Sequence, residues 1–420
     1  MTRPAEGTRR IPVSGSRATA ADWPARRGLR IGIDATCLAS GRGYGRFLRE
    51  LLPCLLARGE GHEVVLFIDR ASAAELGPLP ARTVEPPTRR KQAAAASARG
   101  HRSLADLWTM GRAVAREPLD CMFFPSVYSY FPVLGRVPIA VAIHDAIPER
   151  LGHLVFPSAK QRWLWRAKVA AACRQARAIL TVSEWSRRTL VERLRIPPER
   201  ISVAPEAPAP AFAPAPDPAP RWAWLRKQGW PEGARYLLSV GGFNPHKNLG
   251  ALVDAFAALL RADPACDLRL LLVGDHCGDV FHADVGGLRR SIEAAGLGEQ
   301  VLLAGFVPDA ELRHVYAGAL ALVLPSLEEG FGLSAVEAAA CGTPCVATRN
   351  SPLPELLQGG GLFVDPTDPG ALRGALERLW REPAMRARLG SVALERAGAL
   401  RWEATADAVL RTLERIGGAP

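Results

Sequence analysis

A chain of 420 residues exceeds one ordinary hydrophobic core, so two domains are expected. With 48% hydrophobic and 23% charged residues it reads as a soluble globular protein, and no 18-residue uncharged apolar window exists to cross a bilayer. The net charge of +11 is uneven: residues 1–205 carry 33 Lys and Arg against 17 Asp and Glu, and the remainder 20 against 25. That asymmetry suits an anionic partner for the first half, a phospholipid surface or lipid pyrophosphate, or equally a solvated excess that lies partly in the N-terminal tail and the Thr88–Lys91 loop. Nucleic acid is not expected, since no zinc-finger or RNA-recognition signature and no stacking platform is present.

In chain order, residues 1–28 are polar, rich in Arg, Ala and Pro, and lack the apolar core of a secretory leader; they read as a disordered tail. Leu29–Asp34 predicts a first strand, followed by the glycine-rich loop Gly41–Arg46 and an apolar-periodic helix to about Arg58. A second strand is expected over His62–Ile68. Residues 72–100 then form a mobile connection around a short helix. Short apolar runs at Cys121–Phe124, Ile139–Ile143, Ala178–Val182 and Ile201–Ala204 predict buried strands, with a long helix over about Ser158–Gln175. The Ala-Pro alternation from Ala207 to Pro220 supports neither helix nor ladder and reads as a hinge linker.

A second βα series follows, with strands at Tyr236–Val240, Leu268–Val273, Val301–Ala304, Leu320–Leu324 and Pro344–Ala347. The alternation predicts an α/β protein of two doubly wound parallel sheets: an acceptor domain at 29–206, a donor domain at 221–398 and a terminal segment, 399–420, whose helix spans about Trp402–Ile416. Eight cysteines show no paired framework. Cys341 and Cys345 lie four apart without a His to complete a zinc set, so free thiols in a reducing cytoplasm are expected.

The chemistry concentrates in a few turns. At Pro325–Thr348, PSLEEGFGLSAVEAAACGTPCVAT, an apolar strand runs into a glycine turn and a small-residue helix. The amides of Gly330, Phe331, Gly332 and Leu333 suit an anion at a helix start, the glycines permitting close approach. Glu329 and Glu337 would repel phosphate and instead suit hydroxyl groups; the competing reading is a packed unit whose carboxylates favour the helix dipole. In the Gly241-Gly242 turn stands Lys247, one of five lysines, whose ammonium suits a diphosphate.

His144 and Asp145 end a buried strand. The His suits a sugar hydroxyl or a structural role, and the Asp a turn or an acceptor. Gly43, Gly45 and Arg46 suit donor phosphates or an acceptor, Arg46 equally a plain surface role. Ser183 is an N-cap first and a site residue second. The early glycines fit a dinucleotide fingerprint only loosely, and no acidic ribose partner follows, which disfavours an NAD-dependent oxidoreductase.

The string around Glu329 and Glu337 resembles the Glu-x7-Glu signature of the family-4 retaining glycosyltransferases, which have the GT-B fold of two Rossmann-like domains facing a cleft. The similarity runs from about Leu29 to Ile416 with its motifs in family order. It implies that Glu329 contacts the transferred sugar, Glu337 the ribose, Lys247 the diphosphate and His144 the donor sugar. The family's Arg near the Gly-Gly turn is replaced here by Gly242, leaving His246 or Arg349 as substitutes. The chain has no Asp-x-Asp, so the resemblance implies a metal-independent enzyme without cofactor. It implies transfer of a hexose, mannose first, from a GDP- or UDP-linked sugar to a glycan or lipid-linked acceptor, in polysaccharide synthesis at the cytoplasmic membrane face. A non-enzymatic GT-B paralogue that binds a nucleotide sugar is the alternative.

Overall fold

The computed structural model describes residues 28–88, 103–274 and 284–418. The expected tail falls outside the described residues except for Gly28, as does the end of the 72–100 connection from Arg89 onward. The chain divides into two compact units. The first is assembled from three stretches: up to Ala146, Ser158–Glu206, and from Trp402 onward. The second takes Ile147–Pro157 and Ala207–Arg401.

In the first unit, strands β1 (Arg30–Asp34), β2 (Glu63–Phe67), β3 (Arg82–Val84), β4 (Cys121–Phe124), β5 (Ile139–Ala142), β6 (Ala178–Thr181) and β7 (Ile201–Val203) form one sheet. Its order is β3-β2-β1-β4-β5-β6-β7, parallel throughout. β4, β5 and β6 are buried at every residue, which is why they read as unbroken apolar runs rather than alternating ones. On one face lies a core of Met110, Val114, Val169 and Ala172 from the helices Leu104–Arg116 and Ala159–Gln175. The helix Gly43–Arg58 packs against the terminal helix Trp402–Gly417, Phe47 meeting Trp402 at 5.9 Å.

In the second unit β8 (Tyr236–Val240), β9 (Arg269–Val273), β10 (Val301–Gly305), β11 (Ala321–Leu324), β12 (Cys345–Thr348) and β13 (Gly361–Val364) form a parallel sheet ordered β10-β9-β8-β11-β12-β13. In both sheets the strand order reverses beside the first strand of the series. The crevice at such a reversal is where open α/β sheets receive ligands, and here it lies between β8 and β11.

Three features differ from the sequence reading. The strands β3 and β13 were not foreseen: both are short, lie at sheet edges and are half-buried, β3 being Arg-Thr-Val without an apolar run and β13 carrying only Leu362-Phe363-Val364. Gly43, Gly45 and Arg46 occupy the first turn of the helix Gly43–Arg58 rather than a loop. A Cβ on Gly45 would lie 2.1 Å from the Ser40 carbonyl, so this glycine serves close packing of backbone on backbone. The Ala-Pro stretch carries no strand or helix up to Pro218, yet it is no bare tether. Ala207, Ala209 and Phe212 are buried, Phe212 lies edge-on to Tyr316, and Arg313 donates to the carbonyls of Ala213 and Pro214.

Candidate active site

Lys247 and Glu329 leave the carboxyl ends of β8 and β11, the two strands flanking the reversal in the second sheet. After β8 the chain passes Gly241, at φ 152°, and a short 3-10 turn, Pro245–Lys247, before the helix Leu249–Ala262. The Asn248 amide pins this turn by donating to the carbonyls of Pro325 and Pro366 at 3.2 and 3.0 Å. Backbone contact completes the tie, the Leu327 amide donating to the His246 carbonyl at 2.8 Å. The loop after β11 is anchored from β12 as well: Glu329 N–H donates to the Asn350 carbonyl, and the Asn350 amide donates to Leu327.

These anchors bring Lys247 Nζ to 2.6 Å from Glu329 Oε1, and the Ser326 hydroxyl donates to the same oxygen at 2.6 Å. Burial alone would raise the Glu329 carboxyl. The Lys247 charge and the two hydrogen bonds outweigh it and hold the group below its ordinary range. Gly241, Gly242 and Lys247 line a small pocket with Leu324 and Pro325, so the two loops share one recess.

The helix Leu333–Ala340 begins at Gly332, whose φ of 84° is left-handed and whose absent Cβ would meet the Leu353 side chain at 2.7 Å. No side chain caps this end. One turn into the helix, Glu337 is buried and accepts from the Tyr316 hydroxyl at 3.1 Å. Next to Glu329, Glu328 is buried too and pairs with Arg150 at 3.0 Å. Arg150 belongs to Ile147–Pro157, the stretch of the first half that joins the second unit, where Gly152–Val155 packs on the Pro245–Lys247 turn.

The two substitutes for the cation absent at Gly242 stand in different surroundings. Burial, reinforced by Lys247, pushes the His246 imidazole down to about 4, so it is neutral at neutral pH. Arg349 is paired with Asp365.

His144 lies in the first unit after β5. Its Nε2 is 2.9 Å from the Pro125 carbonyl and its Nδ1 is 3.4 Å from buried Glu206, with Phe47 edge-on to the ring. Both nitrogens therefore face acceptors. Burial opposes charging the ring, but Glu206 and the carbonyl outweigh it and raise the pKa above its usual value. Asp145, following it, adds a weaker pull in the same direction. Ser183 is an N-cap, accepting from the Ser186 amide at 3.0 Å. Among the described residues no group of three or more His, Cys, Asp or Glu is placed to hold a metal, and the seven cysteines are free thiols.

The sequence reading missed the groups that hold these side chains: Ser326, Tyr316, Asn248, Asn350, Glu206 and the Arg150–Glu328 pair. Ser326 and Glu328 stand inside the quoted string around Glu329. For Glu206 and Tyr316 no local pattern announces the contact, because each partner lies far along the chain.

The fold is shared with solved glycosyltransferase structures. Sucrose-phosphate synthase from Thermosynechococcus elongatus is similar with a TM-score of 0.71 at 21% identity, over 94% of this chain and all of that one. The Anabaena HepE protein, solved with UDP-glucose, is similar with a TM-score of 0.69 at 19% identity, over 92% of this chain and all of that one. At such identities the likeness shows the fold, the two-sheet GT-B architecture.

Family models carry the assignment further. Residues 220–396 match "Glycosyl transferases group 1" and residues 41–207 match "Glycosyltransferase Family 4". The chain belongs to these group 1, family-4 glycosyltransferases. Among curated proteins, a D-inositol 3-phosphate glycosyltransferase of Thermobifida fusca is 37% identical over 190 residues, 44% of each chain. One of Acidothermus cellulolyticus is 32% identical over 259 residues, 60% of this chain and 56% of that protein. The matched stretch thus spans roughly half the length of these relatives.

Proposed function

We propose that this chain is a retaining glycosyltransferase that moves a hexose from a nucleoside diphosphate sugar to a hydroxyl acceptor. The Lys247–Glu329 pair at the sheet reversal, held by Ser326, carries the reading. An arriving diphosphate competes for the Lys247 ammonium, and Glu329, released from it, accepts from sugar hydroxyls. Lys247 and the amides from Gly330 to Leu333 then offset the charge that grows on the departing diphosphate. Glu337 holds the ribose. No side chain is assigned as covalent nucleophile; the acceptor attacks the face that the diphosphate leaves, through an oxocarbenium-like state. Charge stabilisation in this scheme requires neither metal nor cofactor. His144 enters on family resemblance alone, since both ring nitrogens are engaged within the first unit.

The motif resemblance favours GDP-mannose and polysaccharide synthesis on a lipid-linked acceptor at the cytoplasmic membrane face. The HepE complex with UDP-glucose favours a UDP-hexose, and the relatives' names favour a phosphorylated polyol acceptor. The decisive assay incubates the protein with GDP-mannose, UDP-glucose and UDP-N-acetylglucosamine, each with inositol 3-phosphate or a lipid-linked saccharide. Acceptor-dependent release of one nucleotide with retained anomeric configuration is expected. Thermal stabilisation by a nucleotide sugar without turnover across the panel would instead establish the binding-only paralogue, which the cation missing at Gly242 favours.

A further inference from the structure

The described residues expose six large apolar side chains, and four of them lie on two helices of the first unit: Leu104 (84%) and Trp108 (57%), Trp163 (67%) and Leu164 (39%). Single exposed apolar residues are ordinary on a soluble protein, but an adjacent exposed Trp-Leu pair on one helix is not. Both helices, Leu104–Arg116 and Ala159–Gln175, bury their inner sides in one core, through Met110 and Val114 and through Val169 and Ala172. They therefore cover the same face of the sheet.

The second helix is the more informative. Its inner stripe is Trp165, Val169 and Ala172; the opposite stripe, Lys160, Trp163, Leu164 and Ala167, is exposed at i, i+3, i+4 and i+7. It holds five basic residues, Lys160, Arg162, Arg166, Lys168 and Arg174, and no acidic one. Lys168 is engaged with the Tyr128 carbonyl, while Lys160 and Arg166 are exposed beside the Trp-Leu pair. A Trp and a Leu set between cations, on a helix whose other side is packed in a core, match the chemistry of an anionic bilayer surface. The indole and isobutyl groups enter the headgroup boundary, and the long basic side chains reach up to the phosphates.

We infer that the face formed by Trp163 and Leu164, flanked by Lys160 and Arg166, docks the first unit on an anionic lipid bilayer. Charge complementarity selects this occupant: a purely apolar contact would not require an acid-free helix, and a polyanion in solution would not require an exposed Trp-Leu pair.

Co-sedimentation of the full chain with vesicles tests this. Wild type is expected to sediment with phosphatidylcholine vesicles containing about 30% phosphatidylglycerol, to stay free with phosphatidylcholine alone, and to be released by about 0.5 M salt. Trp163→Ser with Leu164→Ser is expected to lower the partition at least about tenfold. Lys160→Ala with Arg166→Ala is expected to remove part of the salt-sensitive component. These side chains are exposed, so unchanged melting curves establish that the variants are folded. Equal binding to neutral vesicles, or undiminished binding by the Trp-Leu variant, overturns the inference. Two further results do the same: an oligonucleotide bound through the Trp-Leu pair, or a wild-type dimer that this variant makes monomeric, which would assign the face to a second copy. No sugar transfer enters the measurement, so its outcome is independent of the donor assay.

Discussion

The two sheets are wound alike, each parallel and each reversing order beside its first strand, yet they deploy their buried charge differently. In the second unit the ionisable groups sit at the reversal itself: Lys247 and Glu329 come from the strands that flank it, and the carboxyl is held low. In the first unit a buried pair is His144 with Glu206, from beyond β5 and β7; the ring lies against Pro125 and Phe47, which follow β4 and β1, and the imidazole is held high. The winding supplies a crevice in both, while chemistry depends on which loops carry charged residues to it. In the proposed scheme a ligand competes for the pair of the second unit, whereas both ring nitrogens of the first unit's pair face acceptors within that unit.

The largest effect should come from the second unit. Lys247→Ala is expected to lower kcat by about a hundredfold or more, in keeping with loss of a preorganised charge at a leaving group. A variant retaining half of wild-type turnover would mean the diphosphate is stabilised elsewhere. Arg150→Ala leaves Glu328 buried without its cation and should cost about 2 kcal/mol, less than a fully buried pair because Arg150 is partly exposed. An unchanged urea midpoint would show that the other contacts of Glu328 suffice to hold it. Gly332→Ala combines a left-handed φ with a close approach to Leu353 and should cost about 1–3 kcal/mol, read by thermal melting.

A smaller effect, but the sharpest test of the comparison, is pH. The Glu329 pKa is lowered from 4.5, so its contribution is present above about pH 4.5 and is lost as pH falls through the folded value. The His144 pKa is raised from 6.5, so its contribution is present below about pH 6.5 and is lost as pH rises through the folded value. Melting temperature followed against pH should thus show an acid limb that Glu329→Gln flattens and a near-neutral limb that Glu206→Gln flattens. Identical near-neutral limbs for wild type and Glu206→Gln would remove the contrast between the units.

Strand content was legible wherever strands are central and buried on both faces, as in Cys121–Phe124 and Tyr236–Val240, because burial demands uninterrupted apolar residues. Of the four edge strands β7 and β10 were legible, while β3 and β13, half-buried throughout, escaped. At the site, Lys247 and Glu329 could be named because each stands in a glycine-bearing turn just past a strand. Their direct contact could not, because it depends on Asn248 and Asn350 tying four loops together. His144 was named for its position, but its charge is set by Glu206, 62 residues later, which no periodicity reveals.

The first unit closes on residues that follow the second unit in the chain. The helix Trp402–Gly417 packs on Gly43–Arg58, and Thr405 bonds the Pro205 carbonyl, across the whole intervening second unit. A ribosome releasing this chain in order would therefore complete the second unit while the first still lacked one wall, leaving Phe47 and its neighbours uncovered until the final turns emerged. Expressed alone, residues 29–206 would carry that open apolar surface permanently. Residues 207–401 would likewise lack Ile147–Pro157, the strap whose Arg150 neutralises Glu328. A split version of the protein is therefore expected to need both pieces to complete its two units.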